Sequence, residues 1–171
     1  IAPFMETVYL LQEQYGGYFL KPDLGDKGFN LLIMWGAPIA HENDVERALN
    51  FILELFFRTQ LPLRAGLSYR MTYAGFIGAS YREDYTAYGW GVNLASRMME
   101  HAGLGEYWMD AEVARRAEKH FHVKYLDEYK FKGFADKQKT YLLAGHKELA
   151  ETVYQGQLVG RSREIESLVS F

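Results

Sequence analysis

The stretch from Arg82 to Arg97 constrains this chain most, because it carries a hairpin end, a tight turn at Gly89 and Gly91, and the start of a helix. Successive residues of a helix are rotated by about 100°, so that many apolar residues of this helix fall on one broad arc of its surface. Asn93 and Arg97 are spaced i,i+4 on the opposite side, directed away from the core. A guanidinium offers a fixed fork of donors that fits phosphate. The same spacing also fits an ordinary solvated helix face.

Helical and strand-like patterns alternate along the chain in the order α-β-β-α-β-β-α-β-α-β-β. Helices are predicted over residues 1–15, about 92–103, about 110–119, and from an Asn43 cap with Glu46 as its reciprocal partner. Strands are predicted over Tyr18–Lys21, Phe29–Trp35, Leu63–Met71, Tyr73–Ile77 (the hairpin mate of the preceding strand), 106–108, 121–130 and 138–144. Strands broken by helices, with hairpins among them, indicate an α+β sandwich with one mostly antiparallel sheet.

Composition excludes several classes of function. The 171 residues carry a net charge of −3, so no basic footprint suggests nucleic acid as a partner. The chain has no cysteine, which excludes a disulfide framework and cysteine metal sites. No apolar run approaches the roughly 20 residues of a membrane helix, and we expect no signal peptide. We therefore expect no membrane partner and a cytoplasmic setting.

Several ordered motifs together resemble one known family. The stretch Tyr-Thr-Ala-x-Gly-x-x-Val-Asn-Leu-Ala-Ser-Arg, ending at Arg97, resembles the signature of the class III nucleotidyl cyclases, which make cyclic AMP or cyclic GMP from the triphosphate. The resemblance covers roughly residues 5–145. It includes Tyr15-Gly-Gly17, Met34-Trp-Gly-Ala-Pro38, Leu63-Arg-Ala-Gly66, Ala74-Gly-Phe-Ile-Gly78 and Phe131-Lys-Gly133.

The resemblance implies a ferredoxin-like cyclase fold over residues 1–148, without the first strand that opens family members and carries their first metal-binding Asp. Residues 149–171 are expected to form a linker and the start of an ATPase module. The stretch Gly156–Leu168 is similar to the opening of the AAA/STAND module that follows cyclase domains in the soluble, bicarbonate-responsive group and its bacterial relatives. An ordinary C-terminal linker and helix start is the other interpretation.

The resemblance also implies site residues. In this family two halves form a head-to-tail dimer, and one half brings an Asn, an Arg, a phosphate Lys and a base-reading pair. Here Asn93 is expected to orient the ribose, Arg97 to stabilise the phosphate charge, and Lys132 to contact the terminal phosphates. Lys21 and Thr86 fall at or near the base-reading positions, in a pattern similar to that of adenine-selecting cyclases.

The metal-binding half of the family pattern is not matched. Counting back from Gly36, the second metal-binding Asp should stand at Phe29, which cannot hold a metal. Asp26 is a weak alternative, and its turn-rich surroundings favour a turn carboxylate. We therefore expect the Mg²⁺ or Mn²⁺ ions to be held mainly by the partner half. Arg70 replaces a Gly usual in the family, and is either an anion ligand in a second pocket or a surface residue at a strand end.

The predicted function is conversion of ATP to cyclic AMP and pyrophosphate by the base-reading, transition-state-stabilising half of a tandem adenylyl cyclase, inactive as an isolated chain. Three alternatives stay open. The first is a self-sufficient homodimeric cyclase using Asp26 and an upstream Asp. The second is a pseudo-cyclase that binds nucleotide or only dimerises, and regulates the attached ATPase module. The third is a guanylyl cyclase, which Thr86 disfavours.

Overall fold

The computed structural model describes residues 2–25, 28–79 and 81–147. Asp26 and the expected linker and ATPase start at 149–171 lie outside these residues. The described chain forms α1 (Ala2–Tyr15), β1 (Tyr18–Gly25), β2 (Gly28–Met34), α2 (Asp44–Thr59), β3 (Ala65–Leu67), β4 (Tyr73–Ala79), β5 (Arg82–Tyr88), α3 (Trp90–His101), β6 (Tyr107–Asp110), α4 (Ala111–Ala117), β7 (Phe121–Tyr129) and β8 (Gln138–His146).

The strands confirm the α+β class but not the single sheet. Within the described ranges they form a four-stranded sheet in the order β3-β6-β8-β7 and two separate antiparallel hairpins, β1-β2 and β4-β5. The pairing of β3 with β6 is parallel, whereas β8 pairs antiparallel with both β6 and β7. The four-stranded sheet is therefore the platform on which helices pack.

Helices cover this sheet on both faces, so that β6 is buried throughout. Met109 of β6 packs in a cluster with Leu49 of α2 and Val113 of α4. Trp108, one residue earlier, points to the other face and packs with Leu94 and Met98 of α3. Complete burial of a side chain such as that of Leu94 stabilises the fold by about 1.5–3 kcal/mol. The position of α3 is thus determined by core packing.

A further cluster joins α1 to α2 and to the first hairpin. Val8 and Leu11 of α1 are fully buried against Phe51 and Leu55 of α2. The ring of Trp35, just after β2, meets that of Phe51 edge-on at a centroid distance of 5.4 Å. In the described part of the chain, none of the helices combines the length and the apolar character needed to cross a membrane.

The predicted partner of the fourth strand is wrong. Residues Tyr73–Ala79 pair with Arg82–Tyr88, a strand that was not predicted, rather than with the segment before them. That earlier segment contributes only Ala65–Leu67 to a sheet. The strand ends at Leu67 because the next two residues bond to a buried carboxylate. Ser68 Oγ and Tyr69 N donate to Asp110 Oδ2 at 2.8 and 3.2 Å.

The first hairpin is longer than predicted. Strand β1 continues through Pro22 to Gly25, where we expected a loop, and Pro22 stands opposite Leu31. A proline lacks the N–H of a ladder bond, and so is tolerated where a strand has an open edge. In the two-stranded sheet of the described residues, β1 has such an edge.

The predicted reciprocal cap of α2 is not formed. Asn43 precedes the helix but makes no side-chain capping bond. Its Oδ1 instead accepts from Arg47 Nε at 2.9 Å, and Glu46 Oε1 lies 3.3 Å from His120 Nε2. Both residues that would build the capping box are therefore engaged elsewhere.

Candidate functional site

The site is built on α3, which lies unusually close to the sheet. A Cβ added at Gly66 of β3 would stand 1.9 Å from the carbonyl oxygen of Ala95, so only glycine permits this approach. Leu94 and Met98 point inward and are fully buried. Asn93 is exposed and Arg97 is partly exposed, as the helical spacing predicted.

A tight turn faces this outer side of α3. The N–H of Phe134 donates to the carbonyl of Phe131 at 3.2 Å, and Gly133 has a φ of +92°, which glycine adopts without strain. Phe131 is 1% exposed, and its ring meets that of His101 at 5.0 Å. The ring of Phe134 meets Trp90 at 5.3 Å. Two aromatic contacts thus anchor the turn to both ends of α3.

Lys132 lies between these two anchors, and an open cavity of about 440 Å³ separates it from the helix. Three residues predicted as site residues, Asn93, Arg97 and Lys132, line this one cavity. The remaining lining residues are Trp90, Ser96, Glu100, Gly133 and Phe134. A carboxamide, a guanidinium and an ammonium that converge on a single cavity can bind a polyanion carrying hydroxyl groups.

Glu100 is a cavity residue that the sequence reasoning missed. Arg97 Nη1 donates to Glu100 Oε2 at 2.7 Å, across the i,i+3 spacing of the helix. The carbonyl of Arg97 in turn accepts from His101 Nδ1 at 2.9 Å. The i,i+3 placement of an acid after Arg97 was a signal in the sequence for this pair.

Thr86, one of the two predicted base-reading residues, does not line this cavity. Thr86 is half-buried in β5 opposite Gly75, and Lys21 lies in β1 opposite Leu32. The rings of Tyr18 in β1 and Tyr85 in β5 meet edge-on at 5.1 Å, which shows that the two strands are neighbours. The structure therefore places Lys21 and Thr86 on the backbones of adjacent hairpins.

The residues do not fit a metal site of the expected kind. The ring of Phe29 packs edge-on against that of Phe4 at 6.3 Å and offers no oxygen or nitrogen ligand. Among the described residues, no group of three or more His, Asp or Glu is placed to hold a metal ion.

Arg70 has a structural role. Its Nη2 donates to Gln138 Oε1 at 2.8 Å, and its Nε lies 3.5 Å from Asp110 Oδ2. Asp110 is 2% exposed and also caps α4 by accepting from Val113 N at 2.9 Å. A buried carboxylate is costly without partners, and Arg70 helps to compensate its charge.

Comparison with solved structures shows a shared fold. The guanylate cyclase domain of RhGC from Catenaria anguillulae, solved with GTP, is 22% identical, with a TM-score of 0.73 over 85% of this chain and 82% of that one. The adenylyl cyclase CyaB from P. aeruginosa is 20% identical, with a TM-score of 0.73 over 86% and 81%. A dimeric guanylyl cyclase domain of the RhoGC fusion protein from Blastocladiella emersonii is 21% identical, with a TM-score of 0.72 over 85% and 82%.

The family model described as the adenylate and guanylate cyclase catalytic domain matches residues 32–145, two thirds of the chain. A comparison with curated proteins found no match. The matched region contains the whole cavity beside α3, including Asn93, Arg97 and Lys132. The chain therefore belongs to the adenylate and guanylate cyclase catalytic domain family, whose fold its described elements share.

Proposed function

We propose that this chain acts as one half of a two-part adenylyl cyclase that converts ATP to cyclic AMP and pyrophosphate. The observation that carries this proposal is the convergence of Asn93, Arg97 and Lys132 on one cavity. These residues come from α3 and from the turn after β7, two elements that meet only in the folded chain. A helix face that is merely solvated does not require a cationic turn anchored opposite it.

The reaction defines the role of each residue. The ribose 3′-hydroxyl attacks the α-phosphorus and releases its proton to water. The bond between the α-phosphorus and the oxygen that bridges the α- and β-phosphates breaks, and pyrophosphate leaves with that oxygen. Arg97 neutralises charge that develops on the α-phosphate, and Lys132 binds the terminal phosphates that become the leaving group. Asn93 holds the ribose by hydrogen bonds so that the hydroxyl is aligned with the phosphorus.

Adenine is read by Lys21 and Thr86. An ammonium donates to a ring nitrogen of adenine, and a hydroxyl accepts from the exocyclic amine. The contact between Tyr18 and Tyr85 supports this pairing, because it brings the strands of the two residues together. The N1 atom of guanine carries a hydrogen and cannot accept from an ammonium, so this pair favours ATP over GTP.

The partner half supplies the metal ions. Because Phe29 lacks ligand atoms, Mg²⁺ or Mn²⁺ is held by carboxylates of a second cyclase half in a head-to-tail dimer. The same proposal places the protein in the cytoplasm, with residues 149–171 leading into an ATPase module of the same chain.

A second candidate is a pseudo-cyclase, which binds nucleotide without turnover and regulates its neighbours. The packing of Phe29 on Phe4 favours this candidate over a self-sufficient homodimer, since a homodimer must find its metal ligands in this chain. The retained set of Asn93, Arg97 and Lys132 favours the enzyme half, because a scaffold does not need all three.

The test is production of cyclic nucleotide with Mn²⁺, from ATP and in parallel from GTP. The chain is assayed alone at high concentration and then mixed with a metal-bearing cyclase half. We expect no product from the chain alone and cyclic AMP from the mixture. Activity of the chain alone would instead identify a homodimer. ATP binding without product in the mixture would identify a pseudo-cyclase, and cyclic GMP as the main product would overturn the assignment of Lys21 and Thr86.

A further inference from the structure

Arg97 is already occupied by a carboxylate of its own helix. The distance from Arg97 Nη1 to Glu100 Oε2 is 2.7 Å, and both residues line the cavity. Their side chains are 37% and 21% exposed, so the pair is less screened by solvent than an ion pair on a fully exposed helix face. A phosphate that enters the cavity must compete with Glu100 for the same guanidinium.

Glu100 also changes the charge of the cavity. The other charged lining residues are Arg97 and Lys132, so the carboxylate offsets one of two positive charges. Because Glu100 is held by the backbone of α3, it remains beside any anion that replaces it on Arg97. Like charges at such distances repel, and the repulsion is stronger in a partly desolvated cavity than in bulk water.

We propose that Glu100 is a positioning residue that holds the guanidinium of Arg97 at the cavity wall and weakens the binding of pyrophosphate there. This role rests on the proposed function and deepens it, because pyrophosphate is the product that the cavity must release. The ribose and base of ATP add contacts outside the reach of Glu100. Pyrophosphate has no such contacts and therefore experiences the whole effect of the carboxylate.

The experiment measures binding of inorganic pyrophosphate to the full chain by calorimetry at low salt. We expect Glu100→Gln to bind pyrophosphate about three- to tenfold more tightly than the unaltered chain, since it removes one negative charge beside the site. Arg97→Ala should bind it more weakly. In the double variant the gain from Glu100→Gln should be smaller, because the repulsion by the carboxylate is still relieved but there is no guanidinium left to free.

Two controls separate this role from a structural one. Glu112→Gln removes another i,i+3 partner of an arginine, since Glu112 Oε1 lies 2.7 Å from Arg115 Nη2 on exposed α4. It should leave pyrophosphate binding unchanged. Glu100→Asp, which keeps the charge, should bind pyrophosphate with nearly the affinity of the unaltered chain. A role limited to stabilising α3 predicts no tighter binding in any of these variants.

The outcomes are distinguishable. If the unaltered chain binds pyrophosphate better than Arg97→Ala does, but Glu100→Gln gives no gain, the role of Glu100 is wrong and the proposed function stands. A gain of equal size in the Arg97→Ala background overturns the competition for the guanidinium. If Arg97→Ala binds as well as the unaltered chain, the cavity is not a phosphate site, and both proposals fail.

Discussion

At the scale of the single residue, the side chain of Arg97 takes no part in the core packing that stabilises the fold. It lies on the outer side of α3, whereas Leu94 and Met98 on the inner side are fully buried. Its ion pair with Glu100 is partly exposed, and such pairs contribute at most about 1 kcal/mol to stability. Substitutions at Arg97 therefore test its proposed role in catalysis with little effect on the stability of the fold.

We expect Arg97→Ala to lower the rate of cyclic AMP formation by the mixture with a metal-bearing half by roughly 100- to 1,000-fold, as the removal of a preorganised charge donor does. The variant's urea unfolding midpoint should stay close to that of the unaltered chain. Arg115→Ala, which removes a comparable arginine–glutamate pair on α4, is the matched control and should retain activity. Unfolding of Arg97→Ala would show that the residue is structural.

The sequence supports part of this site directly. Helical spacing places Asn93 and Arg97 together, because residues four apart share a helix face. The convergence of Lys132 on them depends on the path of β7 and on the aromatic anchors Phe131 and Phe134, which no local pattern encodes. Only the resemblance to a family linked Lys132 to the pair, and the competing role of Glu100 required the structure.

At the scale of the element, the helices were predicted well and the hairpins poorly. The helices lie close to their predicted ranges. In α2, however, the apolar Phe56 is 38% exposed while Phe51 and Leu55 are buried, so apolar spacing alone does not define the buried face. Strand β5 was missed because it opens with Arg82, Glu83 and Asp84, which are exposed, and acidic residues are rare in strands. Tertiary contacts determine the structure of the segment before β4, because Ser68 and Tyr69 donate hydrogen bonds to the carboxylate of Asp110 instead of to a neighbouring strand.

The close contact of β3 with α3 gives a prediction about Gly66. An alanine Cβ would collide with the Ala95 carbonyl, which is backbone and cannot move alone. We expect Gly66→Ala to destabilise the fold by about 1–3 kcal/mol or more. It should also lower activity, since α3 carries Asn93 and Arg97. Gly75→Ala is the control, because its new methyl group would meet only the Tyr73 side chain at 3.2 Å.

The connection between α3 and β6 is predicted to weaken in acid. Hydrogen bonds from the Gly103 N–H and then from Trp108 Nε1 lower the pKa of Glu106 from its ordinary value of 4.5. A carboxylate with a lowered pKa contributes stability that is present above pH 4.5 and is lost as the pH falls through its folded-state value. Urea unfolding across this range should show that Glu106→Gln loses less stability in acid than the unaltered chain.

One outcome for Glu106→Gln would contradict the predicted loss of stability in acid. If Glu106→Gln and the unaltered chain lose stability in parallel from neutral pH down to the acid range, the hydrogen bonds of Glu106 do not couple to folding. Glu83→Gln, which removes an exposed carboxylate of β5, is the matched control for the loss of one negative charge.

At the scale of the whole molecule, the β4-β5 hairpin leaves several large apolar side chains exposed. Phe76 is 67% exposed and Tyr81 is 91% exposed, and Ile77, whose side chain points to the opposite face of the strand, is 46% exposed. The hairpin also carries Thr86 and leads directly into α3. We expect this hairpin to contact the metal-bearing half in the proposed dimer, because burial of its exposed apolar side chains there would favour association.

The substitution Phe76→Ser tests this expectation. It should abolish cyclic AMP formation in the mixture at low protein concentration and restore part of it at high concentration, since it weakens association rather than the chemical step. Phe57→Ser on α2 changes another exposed aromatic, 71% exposed, and should leave the mixture active. Equal loss at every concentration would indicate damage to the fold or to catalysis.

The indole of Trp90 has a practical consequence. It is 62% exposed at the rim of the cavity, whereas Trp108 is 6% exposed in the core, so the two report on different surroundings. A nucleotide entering the cavity would change the solvent around Trp90 and hence its fluorescence. The chain thus carries an intrinsic optical probe of occupancy: titration with ATP should shift the emission, and Trp90→Phe should remove that shift.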